Sequence, residues 1–180
     1  MLCEKFDNIR WGSPETERFA RYWRSLEPGS LVPRRRSFDP TRIAPLLPGI
    51  ALYEVLSPDE IVCRLAGTAL VDHFGMELTG RNFLDFWPGD MRDAASRTIL
   101  ECITRPCGVF SKVLTHSAAG KTEMIISVGF PLRDDKDICC RMVFYTGEFE
   151  RERIRVPRDD QVASLEAPTS IFIDLEEDAT

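Results

Sequence analysis

Residues 109–149 read VFSKVLTHSAAGKTEMIISVGFPLRDDKDICCRMVFYTGEF, three runs of strand type divided by two turn signals. The runs are 109–116, 122–132 and 138–149, rich in the β-branched and aromatic residues that fit a pleated surface. The separators, Ser117 to Gly120 and Arg133 to Asp137, are small or charged and suit hairpin connections. In the second run Met124, Ile126, Val128 and Phe130 alternate onto one face, as do Ile138, Cys140, Met142 and Phe144 in the third. A strand with one strongly apolar side needs a cover, so a helical layer is expected over that face.

Upstream, residues 51–56 and 60–66 form two further strand patterns around a Ser57-Pro58-Asp59 turn. Between the two groups lie a short helix at 68–74 closed by Gly75, an aromatic connector at 78–88, and the longest helix of the body at 90–104. That helix gathers Ala94, Ala95, Thr98, Ile99, Cys102 and Ile103 on one side and stops ahead of Pro106 and Gly108. Two strands, a helical block and three strands in hairpin succession predict an α+β fold: a five-stranded antiparallel sheet with helices on one face.

An amphipathic helix precedes this body. Ser13 is an N-cap, Pro14 occupies the first helical position, and Glu15 and Glu17 sit in the first turn. Phe19, Tyr22, Trp23 and Leu26 recur at helical spacing up to about residue 27. This stripe has two possible destinations, its own domain or a second copy of the chain, and the four residues are candidates for a dimer interface. A turn-rich connector follows at 31–40, then a short helical piece at about 40–47. Arg34, Arg35 and Arg36 stand beside Asp39, which favours a solvated or ion-paired role over nucleic-acid binding. The organisation expected is a helix and connector over 1–49, a central domain over 50–149 and an acidic tail over 150–180.

The chain has 180 residues, 43% of them hydrophobic and 29% charged, with a formal charge of −6. One domain of this size can bury a core without a disulfide or metal staple. The charge has an address. From Pro157 to Thr180 there is one base, Arg158, against seven acids, and the preceding 156 residues balance to zero. Patterning breaks after about residue 155, so this segment reads as a mobile extension, in which residues 170–175 (SIFIDL) could dock as a short strand. Its removal is expected to leave the fold intact.

Charges interrupt the first ten residues, and no run of 18 apolar residues occurs, so a cytoplasmic protein with no membrane partner is expected. The six cysteines lack zinc-type pairing and read as buried reduced thiols; Cys102 and Cys107 flank a helix end. His73 and His116 lie on different elements and read as structural, so no metal site is expected. No nucleophile elbow, phosphate loop, zinc-protease helix or dinucleotide fingerprint is present in the sequence, and no catalytic residue is nominated.

Seven stretches carry a family resemblance: LVPR at 31–34, FDP at 38–40, LLP at 46–48, CRLAGT at 63–68, FG at 74–75, LTGR at 78–81 and FPL at 130–132. In this order and spacing, over about residues 11 to 148, the chain resembles the PAS-like family of short stand-alone proteins found mainly in alphaproteobacteria. The resemblance implies a non-enzymatic sensory or regulatory module whose sheet and helical connector enclose a small cavity, with a small molecule, a signalling protein or both as partners. The flavin photosensors of the PAS class share an Asn-Cys-Arg-Phe-Leu-Gln stretch, and the matching region here is TGRNFL at 79–84 with no cysteine. The long helix holds no histidine of the kind that serves haem in related sensors. Neither flavin nor haem is therefore expected. In the PAS arrangement the connector faces the sheet, making Phe74, Phe83, Phe86, Trp87, Met124, Ile126 and Met142 pocket candidates; the competing reading is that these side chains fill the core. A second functional class is a dimeric interaction adaptor with a filled core and no ligand.

Overall fold

The computed structural model describes residues 3–147 and 160–176. The elements run β1 (Cys3–Lys5), α1 (Pro14–Arg24), β2 (Ile50–Ser57), β3 (Glu60–Ala66), α2 (Thr68–Phe74), α3 (Asp90–Thr104), β4 (Gly108–Ser117), β5 (Thr122–Arg133), β6 (Cys139–Gly147) and β7 (Val162–Asp174). They build one mixed sheet in the order β1-β7-β4-β5-β6-β2-β3. The five strands expected from the sequence are β2 to β6, and two more join them. β7 pairs antiparallel with β4 along nearly its whole length, and β1 adds to β7 in parallel.

The acidic extension is therefore corrected in part. Residues 162–174 are an inner strand, and only Asp160 to Glu176 of the supposed tail lies within the described residues. Phe172 and Ile173 are buried on opposite faces of the sheet, so this segment belongs to the core of the fold.

Helices lie on both faces, where one covered face was expected. The register shows why. Phe130 stands opposite Val143, not Met142, and directly opposed residues share a face. Val128, Phe130 and Leu132 therefore join Val143 and Tyr145 on one side, which is covered by Phe6, Trp11 and the α1 aromatics. Met142, Ile125, Val109 and Val113 share the other side with α2 and α3. The apolar faces of β5 and β6 read from the sequence are opposite faces of the sheet.

Helix α1 starts as its sequence dictates, with the Ser13 hydroxyl accepting from the Thr16 N–H at 3.2 Å. Its stripe is buried at home. Phe19 is fully buried, Trp23 stacks on Phe130 with ring centroids 4.6 Å apart, and the Trp23 Nε1–H donates to the Pro131 carbonyl at 3.1 Å. Tyr22 and Leu26 are also buried. Phe19, Tyr22, Trp23 and Leu26 thus cover the chain's own sheet rather than standing exposed as a dimer stripe. The connector behind α1 is pinned by charge. Glu27 accepts from the Ser37 hydroxyl at 2.7 Å and from Arg133 at 3.1 Å, and Arg34 makes a two-pronged contact with Asp137. Hydrogen bonding and the two guanidinium groups hold Glu27 below the usual carboxylate range.

On the other face, α2 is docked through His73, whose side chain is almost wholly buried. Its Nε2 meets the Thr115 hydroxyl at 3.1 Å and its Nδ1 lies 3.5 Å from Glu123. Burial pushes the His73 pKa below the ordinary histidine value, against the pull of Glu123. Gly75, at φ 67°, closes the helix in the left-handed conformation.

Two outcomes follow from this packing. Ile173→Ala or Phe19→Ala should each destabilise the protein by about 2–5 kcal/mol in denaturant unfolding, Phe19→Ala without altering the sedimenting mass; an Ile173→Ala variant as stable as the parent would remove β7 from the core. Because the native state disfavours the His73 imidazolium, the unfolded chain binds more protons just below about pH 6.5, and stability falls as pH drops from 7 towards 5.5. His73→Gln should flatten the melting temperature over that window, and an unchanged slope would sink the assignment.

Candidate functional site

Between α3 and the β4, β5, β6 and β7 face of the sheet lies a cavity of about 780 Å³. Its size is in the range that holds drug-sized ligands. One end is aromatic. Tyr53, Phe83 and Phe144 meet at 5.1 and 5.7 Å between ring centroids, and Phe83 lies edge-on to Trp87 at 5.5 Å. The ring of Phe144 lies across Gly129, where any Cβ would collide with it; the absence of a side chain there is what lets the ring lie on the sheet.

The roof is α3, which presents Ala94, Ala95, Thr98 and Ile99 towards the space. These belong to the apolar side read from the sequence, and the two alanines leave room beneath the helix. The floor is the sheet, with Val109, Val113, Ile125 and Leu165 interspersed with the hydroxyls of Ser111, Ser127, Thr146 and Ser170. Ser111 and Ser170 hydroxyls are 2.9 Å apart, and those of Ser127 and Thr146 are 3.1 Å apart. Charge enters through Arg97 and Glu101 of α3 and Glu166 of β7. Glu166 also lies 3.7 Å from His116 Nε2.

Four of the seven pocket candidates are aromatic, and three of these line the cavity: Phe74, Phe83 and Trp87. Phe86 instead walls a small adjoining recess with Tyr53, Cys63 and Arg81, and packs edge-on to Phe74 at 5.2 Å. Met142 is on the cavity side of the sheet but fully buried beneath it. Met124 and Ile126 are on the opposite face, by the alternation of β5; Ile126 packs against the α1 side and Met124 is 49% exposed. Among the lining residues that sequence reasoning missed are Tyr53, Phe144 and the four hydroxyls. The signal for the hydroxyls was present in β4, where Ser111 sits between Val109 and Val113 on one face.

Trp87 carries an indole Nε1–H that is buried with no acceptor among the described residues. The thiols are elsewhere. Cys102 and Cys107 face each other at 3.9 Å between sulfurs behind α3, and burial pushes Cys63 up to about 11. Neither a cysteine nor a histidine lines the main cavity among the described residues, and Met91 is the one sulfur-bearing side chain that does. Among the described residues no group of three acidic, His or Cys side chains could hold a metal ion, and no helix is long and apolar enough to cross a membrane.

Comparison with solved structures finds chains of similar shape. The dark structure of the blue-light photoreceptor Aureochrome1 LOV is 17% identical, with a TM-score of 0.46 over 61% of this chain and 82% of that one. The Rhodobacter sphaeroides LOV protein is 13% identical, with a TM-score of 0.46 over 64% and 71%. An RNA-binding light-oxygen-voltage receptor is 16% identical, with a TM-score of 0.47 over 67% of this chain and 35% of that one. Comparison with curated proteins gives no match. A family model described as PAS domain matches residues 12–143, a span that takes in α1, both helices over the sheet and nearly all of β2 to β6, and the chain belongs to the PAS domain family.

Proposed function

We propose that the protein is a non-enzymatic sensory or regulatory module that binds a small molecule between α3 and the sheet and reports its occupancy to a signalling partner. The cavity itself carries the reading. A space of about 780 Å³ walled by aromatic and aliphatic side chains offers a ligand a large contact area, and fixed hydroxyls in its floor can orient it. The chemistry of the lining favours binding over reaction. Ser111 and Ser170 are hydrogen-bonded to each other, as are Ser127 and Thr146, so none of these hydroxyls is paired with a base that would make it a nucleophile. Among the described residues no thiol lines the cavity, which supports a ligand other than covalently held flavin, in line with the cysteine-free stretch at 79–84.

Native mass spectrometry of the purified protein should show an added mass that is lost on denaturation. Ala95→Phe, which projects a ring from α3 into the space, should abolish that mass while the melting temperature stays within a few degrees. A native mass equal to that of the chain alone, together with no melting shift on adding a small-metabolite extract, would overturn the reading.

A further inference from the structure

The four floor hydroxyls form a single row. Ser111 stands opposite Ser127 across the β4–β5 pair and opposite Ser170 across the β4–β7 pair, while Ser127 stands opposite Thr146 across β5–β6. Four adjacent strands therefore each place one hydroxyl on the same line, crossing the cavity floor at right angles to the strands. With neighbouring strands about 4.8 Å apart, the line spans about 14 Å.

The hydroxyls are joined in two pairs, Ser170 with Ser111 and Ser127 with Thr146. Each hydroxyl has one proton, and within a pair one proton serves the internal bond. Each pair thus presents one O–H to whatever lies above it, and either oxygen can be the donor. The roof differs. Thr98 donates to the Ala94 carbonyl at 2.9 Å and Thr104 to the Leu100 carbonyl at 2.7 Å, so the helical hydroxyls satisfy their own backbone. The Trp87 N–H is enclosed by protein and is not part of the row. Apart from the Tyr53 hydroxyl at the aromatic end and the exposed Arg97 on α3, the donors that line the space are those of the floor, beneath the apolar Ala94, Ala95 and Ile99 of the roof.

Charge completes the specification. Among the described lining residues Arg97 is the single base, it is exposed at the roof, and Glu101 and Glu166 accompany it. No cation lies on the floor. An anionic head group laid on the row would lose its hydration and meet neutral hydroxyls, with no cation there to pair with it; at the border Glu101 is ion-paired with Arg105 at 3.1 Å.

Resting on the reading of the cavity as a ligand site, we propose that it selects an uncharged, elongated ligand with one apolar face against α3 and carbonyl, ether or ring-nitrogen acceptors along the edge that meets the Ser170–Ser111–Ser127–Thr146 row. A ligand lacking such acceptors would leave two O–H groups unmatched, at about tenfold in affinity for each.

Three fluorescent probes of similar size separate the possibilities in the full chain. Prodan is neutral and carries a ketone, N-phenyl-1-naphthylamine is neutral without an acceptor oxygen, and 8-anilinonaphthalene-1-sulfonate is anionic. Prodan should bind about tenfold more tightly than either of the others. Ser111→Ala alone should change prodan affinity less than about threefold, because Ser170 keeps an O–H to offer. The combined Ser111→Ala, Ser170→Ala, Ser127→Ala and Thr146→Val variant should lose about tenfold for prodan, while N-phenyl-1-naphthylamine, relieved of the unmatched O–H groups, should bind more tightly than to the parent and so report an intact cavity. Should the combined variant unfold, the ranking of the three probes on the parent protein still decides. Equal binding of all three, or preference for the sulfonate, overturns the ligand class and leaves the cavity reading standing. Absence of binding by every probe to the folded parent protein overturns both.

Discussion

The stacking of Trp23 on Phe130, fixed by the indole hydrogen bond to the Pro131 carbonyl, is the contact on which the architecture depends. It brings α1 down on the more apolar face of β5 and closes that side of the sheet. Phe6 and Trp11 add to the same cluster, with Arg24 held over the Phe6 ring at 4.5 Å. Burying each large side chain contributes roughly 1.5 to 3 kcal/mol, so one face supplies a dense core. The opposite face is then released from the need for close packing everywhere. A cavity sacrifices dispersion contacts along its lining, and a sheet anchored on its far side can tolerate that loss.

β7 is the second requirement. It sets the end of the floor that β4 alone would leave open, bringing Leu165, Ala167 and Ser170 to the cavity. It also gives Ser111 its partner. Removing the strand would expose the edge of β4 and strip the Phe172 and Ile173 side chains from the two layers at once, which is why a segment so acidic in composition cannot be dispensable to the fold.

Much of this was legible in the sequence. The strands β2 to β6, the Ser13-capped α1 and the long α3 follow from apolar periodicity, capping residues and the turn signals between them. β7 was obscured by its own geometry. Lys112 pairs with Thr169 and Leu114 with Glu166, so Val113 faces both Ala167 and Pro168; a second shift falls between His116 and Ser117. Each bulge resets the alternation. Leu165 and Phe172 are seven residues apart and would point to opposite faces of a regular strand, yet both pack on the cavity side. A polar stretch with Pro168 and an irregular apolar pattern reads as an extension unless its partner strand is known.

The assignment of faces failed for a different reason. Alternation says that Ile126, Val128 and Phe130 point together, but not which layer they meet, and the presence of two helical covers made the choice ambiguous. Phe74 at the end of α2 and Phe83 and Trp87 of the aromatic connector line the cavity, while β5 offers it Ile125 and Ser127, its less hydrophobic face. That inversion is physically sensible. The face with the greatest apolar content goes to the layer that packs without gaps, and the face carrying serine goes where a hydroxyl can still find a partner. Ser111, Ser127 and Ser170 look unremarkable singly, each a small polar residue in a strand. Only the register, which aligns them with Thr146 across four strands, turns them into one surface with a chemical preference.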